Sequence, residues 1–162
     1  MATLATSLLK TIVLSSKATS IVSNIGTDLI INTISTSTSS ICNVLSYLTT
    51  NTTSGSTNII NTIKTIDLEF TVNILNQLVK EQEGKHLNES IKKALIGVSE
   101  ILDLINNELL VIKEAIKYHN MKYFNEWRNF AWSGDADIII KYNMILHNRY
   151  KMLFRLLKIY PQ

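Results

Sequence analysis

Residues 87–123 read LNESIKKALIGVSEILDLINNELLVIKEAIKYHNMKY, and the fold follows from how this stretch is read. Leu87, Ile91, Ala94, Val98, Ile101 or Leu102, Ile105, Leu109, Ile112, Ile116 and His119 succeed one another at steps of three and four. That period draws one apolar stripe along a helix of about nine turns. Asn88 stands where an N-cap belongs, and Glu89 favours the positive first turn. Glu89 precedes Lys92 and Lys93, and Glu114 precedes Lys117, at spacings that pair charges along a wet face. A helix this long cannot bury its stripe alone, so the chain is expected to supply further helices around it.

Upstream, Ile59, Ile63, Ile66, Phe70, Ile74 and Leu78 form a second stripe ending near Gly84, which suits a left-handed helix stop. With few residues between them, these two helices are expected to fold back on each other as a hairpin. Ile30, Ile34, Ser37, Ile41, Val44 and Leu48 keep the same period, as do Leu4, Leu8, Ile12, Ser15, Thr19, Val22 and Gly26. The break near residues 25–28 leaves open whether residues 2–50 form one helix or two. The segment TTNTTSGSTN, residues 49–58, loses the pattern and reads as a loop, with Ser56 or Thr57 capping the helix that follows. A final helix over about 136–158 carries Ile138, Ile139, Tyr142, Ile145, Leu146, Tyr150, Leu153 and Leu157 on one broad face. Tyr123, Phe124, Trp127, Phe130 and Trp132 fit a short aromatic helix before it.

The expectation is all-α: an elongated bundle of about four long antiparallel helices plus a short aromatic helix, packed as in coiled coils. Composition agrees. The chain of 162 residues has five Gly and one Pro, too few for the turns of a sandwich or barrel, and a 46% apolar fraction can build a core. One domain spans 1–162, in two compositional parts: a neutral Ser/Thr/Ile-rich part, 1–57, and a charged, aromatic part, 58–162. All sixteen Thr lie at or before Thr71. Residues 1–63 hold only Lys10, Lys17 and Asp28 as charges, whereas 111–162 carry nine Lys or Arg against four acids.

Little of the sequence carries chemistry. No phosphate-binding glycine loop, dinucleotide fingerprint, nucleophile elbow or paired-histidine zinc motif occurs. His86, His119 and His147 are too far apart for helical ligand spacing. Cys42 is the single cysteine, so an intrachain disulfide cannot form, and its apolar neighbours make it a small buried hydrophobe. Asp135-x-Asp137 could hold a divalent cation, yet a helix cap after Ser133-Gly134 explains it more simply. The expectation is therefore a non-enzyme with no cofactor and no metal. Lys10 and Lys17 interrupt the apolar stretch that a signal peptide would need, and the expectation is a reducing intracellular compartment or the inside of an assembled particle.

Contact with other proteins is the leading functional expectation. Residues 29–63 carry no charge at all, and charge-poor surface suits the interior of a protein–protein interface. Ile30, Ile34, Ile41, Val44 and Leu48 on this segment are the candidate contact residues, joined by Lys141, Lys151, Arg155 and Lys158 on the last helix. The partner is another copy or another subunit. Ile, Asn and Lys make up nearly a third of the chain, a bias of AT-rich genomes such as those of some large DNA viruses, bacteria and protists. A structural virion component would suit it. The alternative is a membrane-associated protein, with neutral helices at the bilayer and the basic helix on anionic headgroups. Residues 29–48 are only about half apolar, short of the roughly 20 apolar residues a span needs. A third reading, weak nucleic-acid binding by the basic strip, is disfavoured by a net charge of only +3.

Overall fold

The computed structural model describes residues 26–51, 56–121 and 135–160. Among them are five helices and no strand: α1 (Thr27–Thr50), α2 (Thr57–Thr65), α3 (Leu68–Lys80), α4 (Glu89–Asn120) and α5 (Asp135–Ile159). The all-α bundle is therefore what the chain forms. The expected helix over 2–25 and the aromatic helix at 123–132 lie outside the described residues.

α4 is the axis of the bundle. Its 32 residues open on Asn88, whose side chain accepts a hydrogen bond from the Ile91 amide at 2.9 Å. Every stripe position but one is buried; Ala94 is half-buried, and Leu95 beside it takes the inward place. Glu89–Lys92 and Glu114–Lys117 ion pairs form on the outer face at 3.2 and 3.7 Å. α4 packs against α1 on one side and α5 on the other, while α3 packs on α1 and α2 on α5. α3 also touches α5, and the helices close around one core running from Ile30 to Leu153.

The expected hairpin of neighbouring helices at 59–78 and 88–120 gives way to a different arrangement, in which α3 lies against α1 and α4 sits between α1 and α5. Hydrogen bonds fix the directions. Ser35 Oγ donates to Asn76 Oδ1 at 2.9 Å and Cys42 Sγ to Asn73 Oδ1 at 3.5 Å, so α1 and α3 run oppositely. Ser37 Oγ donates to Asp103 Oδ1 at 2.6 Å and Asn120 Nδ2 to the Asn51 carbonyl at 3.5 Å, so α1 and α4 run the same way. Successive long helices alternate in direction, but α1 and α4 are parallel neighbours.

The second stripe is also broken. Asp67 adopts the left-handed conformation (φ 50, ψ 40) and ends α2 one residue after Ile66. Asn143 of α5 donates to the Ile66 carbonyl at 3.1 Å, a carbonyl the helix end leaves without an intrahelical partner. The chain restarts with a new register: Leu68, Val72, Leu75 and Val79 are buried. Phe70 is 62% exposed and Ile74 36%, so the continuous stripe through them does not form. Gly84 does take positive φ (72), in the turn that follows α3, as expected of a glycine stop. Its amide donates to Asp28 Oδ1 at 3.4 Å, tying that turn to the start of α1.

Candidate interaction surfaces

α1 begins after Gly26 and turns Ile30, Ile34, Ile41, Val44 and Leu48 into the chain's own core, each no more than 4% exposed. These five candidates are therefore already covered by α3 and α4, and the surface open to a partner is the opposite face. Asn32, Thr36, Ser39 and Asn43 are exposed there, and with the half-buried Ser35 and Ser40 they line a shallow open groove. The sequence signal for these residues was present, as the complement of the apolar period. What hides it is chemistry: small polar side chains resemble a loop as much as a helix surface.

The groove differs from an ordinary wet helix face in what it asks of a partner. Thr33 and Thr36 donate to the carbonyls of Leu29 and Asn32, four residues back, at 2.8 and 2.9 Å. Off the groove, the buried Thr38 and, at the end of α1, Thr49 and Thr50 bond carbonyls three or four residues back in the same manner. A hydroxyl already bonded to its own helix leaves mainly its methyl outward, so covering it costs less than covering a charge. Short side chains also lose little rotamer freedom when immobilised.

Lys141, Lys151, Arg155 and Lys158 are all exposed on α5, as the strip predicted. Arg149 is not part of that strip. It turns toward α4, where its guanidinium donates to the Gly97 carbonyl and stands 3.4 Å from Glu100. Exposed among the four cations are Met144 and Met152, which the sequence reading did not single out. Lys158 Nζ lies 4.6 Å from the centre of the Phe154 ring, a contact that holds cation and ring together. On α4, Leu104, Val111 and Tyr118 recur at steps of seven on the outer face and are 39%, 55% and 61% exposed.

Titratable chemistry is sparse. Burial, followed by the nearby Glu69 carboxylate, pushes the Cys42 thiol up, which keeps it protonated and poorly nucleophilic. His119 is buried at the end of the α4 stripe, as its place in the period suggested. Among the described residues no three His, Cys, Asp or Glu side chains come together as a metal-binding group. Asp137 is exposed at the start of α5, and the side chain of Asp135 lies outside the described residues. Among the described residues no helix is long and apolar enough to cross a membrane.

Comparison with known proteins adds one relative. No family model matches the chain, and no solved structure matches it. The chain is similar to "Uncharacterized protein L717" of Acanthamoeba polyphaga mimivirus, 28% identical over 144 residues and covering 68% of each chain. That relative is viral, and viruses are among the sources to which the Ile-, Asn- and Lys-rich composition pointed.

Proposed function

We propose that this protein is a non-enzymatic assembly component, an α-helical bundle that works by contact with further copies of itself or with other subunits of a particle. The observation that carries the proposal is the outer face of α1. From Asn32 to Asn43 it is exposed, helical and without charge, in a segment that remains uncharged from Leu29 to Ile63. A helix face serving only solubility has no reason to lack charge for so long, whereas the centre of an interface is depleted in it. The Thr36 hydroxyl, bonded back into the helix, lowers the desolvation cost at its place on that face. Similarity to a viral protein supports a particle setting, and a half-buried, poorly nucleophilic Cys42 is at ease in a reducing compartment.

Size-exclusion chromatography with light scattering tests the reading, together with co-purification from the native source. The wild-type chain should form an oligomer or hold a partner in fixed ratio. Thr36→Lys, Ser39→Glu and Asn43→Lys together should release it while leaving the helical circular dichroism and the melting temperature unchanged. A monomer at every concentration that also co-purifies with nothing stoichiometric overturns the proposal, as does a triple variant that assembles like wild type.

A further inference from the structure

From Ile138 to Tyr160 the chain has no acidic residue, and it has Lys141, Arg149, Lys151, Arg155 and Lys158. Packing sorts these cations. Arg149 is consumed by the Gly97 carbonyl and Glu100 of α4, which leaves the other four exposed to solvent. At 3.6 residues per turn those four fall within about half of the helix circumference. The same half carries Met144, Met152 and Ile159, exposed by 63%, 62% and 66%, with Phe154 at its edge. Asp137, exposed and one turn before Lys141, stands at the N-terminal end of this same half.

We propose that this face of α5 is a docking surface for an anionic membrane, on which the bundle lies without inserting a span. Charge complementarity selects the partner: four cations, with no acid between Lys141 and Lys158 and only Asp137 at the end of the face, match a surface of lipid phosphates and carboxylates. The interleaved apolar groups separate lipid from the other polyanions. Nucleic acid would engage the lysines and arginines and leave Met144, Met152 and Ile159 in water without gain. A bilayer interface accepts both kinds of side chain at once, cations at headgroup level and flexible apolar chains at the acyl boundary. An acidic protein could do so only with a groove shaped to three separated apolar side chains. This surface lies on a different helix from the uncharged face of α1, and neither reading depends on the other.

Flotation of the full chain with phosphatidylcholine vesicles, with and without phosphatidylserine, tests the proposal. The wild type should float only with phosphatidylserine and should be released by salt. Replacing Lys141, Lys151, Arg155 and Lys158 together with Gln should cut partitioning by on the order of a hundredfold or more, at about fivefold per cation. Met144→Ser, Met152→Ser and Ile159→Ser together, with every charge kept, should cut it by at least about tenfold. All seven side chains are exposed, so circular dichroism and melting should show each variant folded. No flotation with phosphatidylserine overturns the proposal. So does a charge variant or an apolar variant that floats like wild type, or a wild type that single-stranded RNA strips from the vesicles.

Discussion

Asp67 offers a test in which two backbone geometries predict opposite signs. It sits between α2 and α3 with φ 50 and ψ 40, and its side chain makes no capping hydrogen bond. An L-residue in this conformation costs about 1–2 kcal/mol relative to glycine. Glycine gives back about 0.4–1 kcal/mol through the greater entropy of its unfolded chain. Asp67→Gly and Asp67→Ala both remove the same carboxylate, so its charge effects cancel in the comparison. The glycine variant should therefore be the more stable of the two by about 1 kcal/mol, or about 2–4 °C in melting temperature for a chain of this size. Had the stripe from Ile59 to Leu78 run through one unbroken helix, Ala would win by about 1 kcal/mol instead. Urea unfolding of both variants, followed by circular dichroism at 222 nm, reads the sign directly. An alanine variant equal to or more stable than the glycine variant would refute the break at Asp67 and the register drawn from it.

Three further outcomes follow from the packing. Phe70→Ser should cost under about 1 kcal/mol because the ring is 62% exposed, whereas Leu75→Ala, at 0% exposure on the same helix, should cost about 2–5 kcal/mol in the same urea titration. In a double-mutant cycle, Ser37→Ala and Asp103→Ala should couple by about 0.5–1.5 kcal/mol, since the 2.6 Å bond joins a buried hydroxyl to a carboxylate that water can still reach; additivity within experimental error would count against the contact. Gly97→Ala should raise stability by about 0.5–1 kcal/mol, because the added methyl meets Arg149 at ordinary contact distances of 3.7–3.9 Å inside a helix; a lower melting temperature would show that Arg149 has no room to give.

How far the sequence could be read depended on how much one helix face said about its neighbours. Ile30, Ile34, Ser37, Ile41, Val44 and Leu48 all point inward as the period requires, and Asn88 caps α4 as its position suggests. In those segments a single phase runs without interruption, so composition and geometry agree. The stripe at 59–78 misleads because two phases overlap. Ile66, Phe70 and Ile74 continue the rhythm of α2, while Leu68, Val72, Leu75 and Val79 carry an equally good rhythm offset from it. Only the unusual backbone of Asp67 decides between them, and an aspartate gives no warning of it as glycine would. Partner choice among helices was also hidden, because an apolar stripe states that a face is covered and not by which element. The apolar residues of α1 were misread as a contact face for a related reason. Its apolar residues were read as available to a partner, although the chain supplies α3 and α4 to cover them.

The parallel alignment of α1 and α4 bears on how the chain is made. Ser37 and Asp103 are 66 residues apart, and loop closure over such a distance must precede the contact it secures. As synthesis proceeds, α1 can meet α3 early, but the helix that covers its other side is complete only once Asn120 has emerged. Until then part of an isoleucine-rich surface stays open on the nascent chain, the condition under which partly folded intermediates aggregate. A chain ending at residue 88 should accordingly be insoluble or chaperone-bound when expressed alone, and soluble again when residues 89–162 are supplied alongside it. The open side of α1 is thus closed only by α4, and the order of the sequence sets the moment at which that surface becomes safe from aggregation.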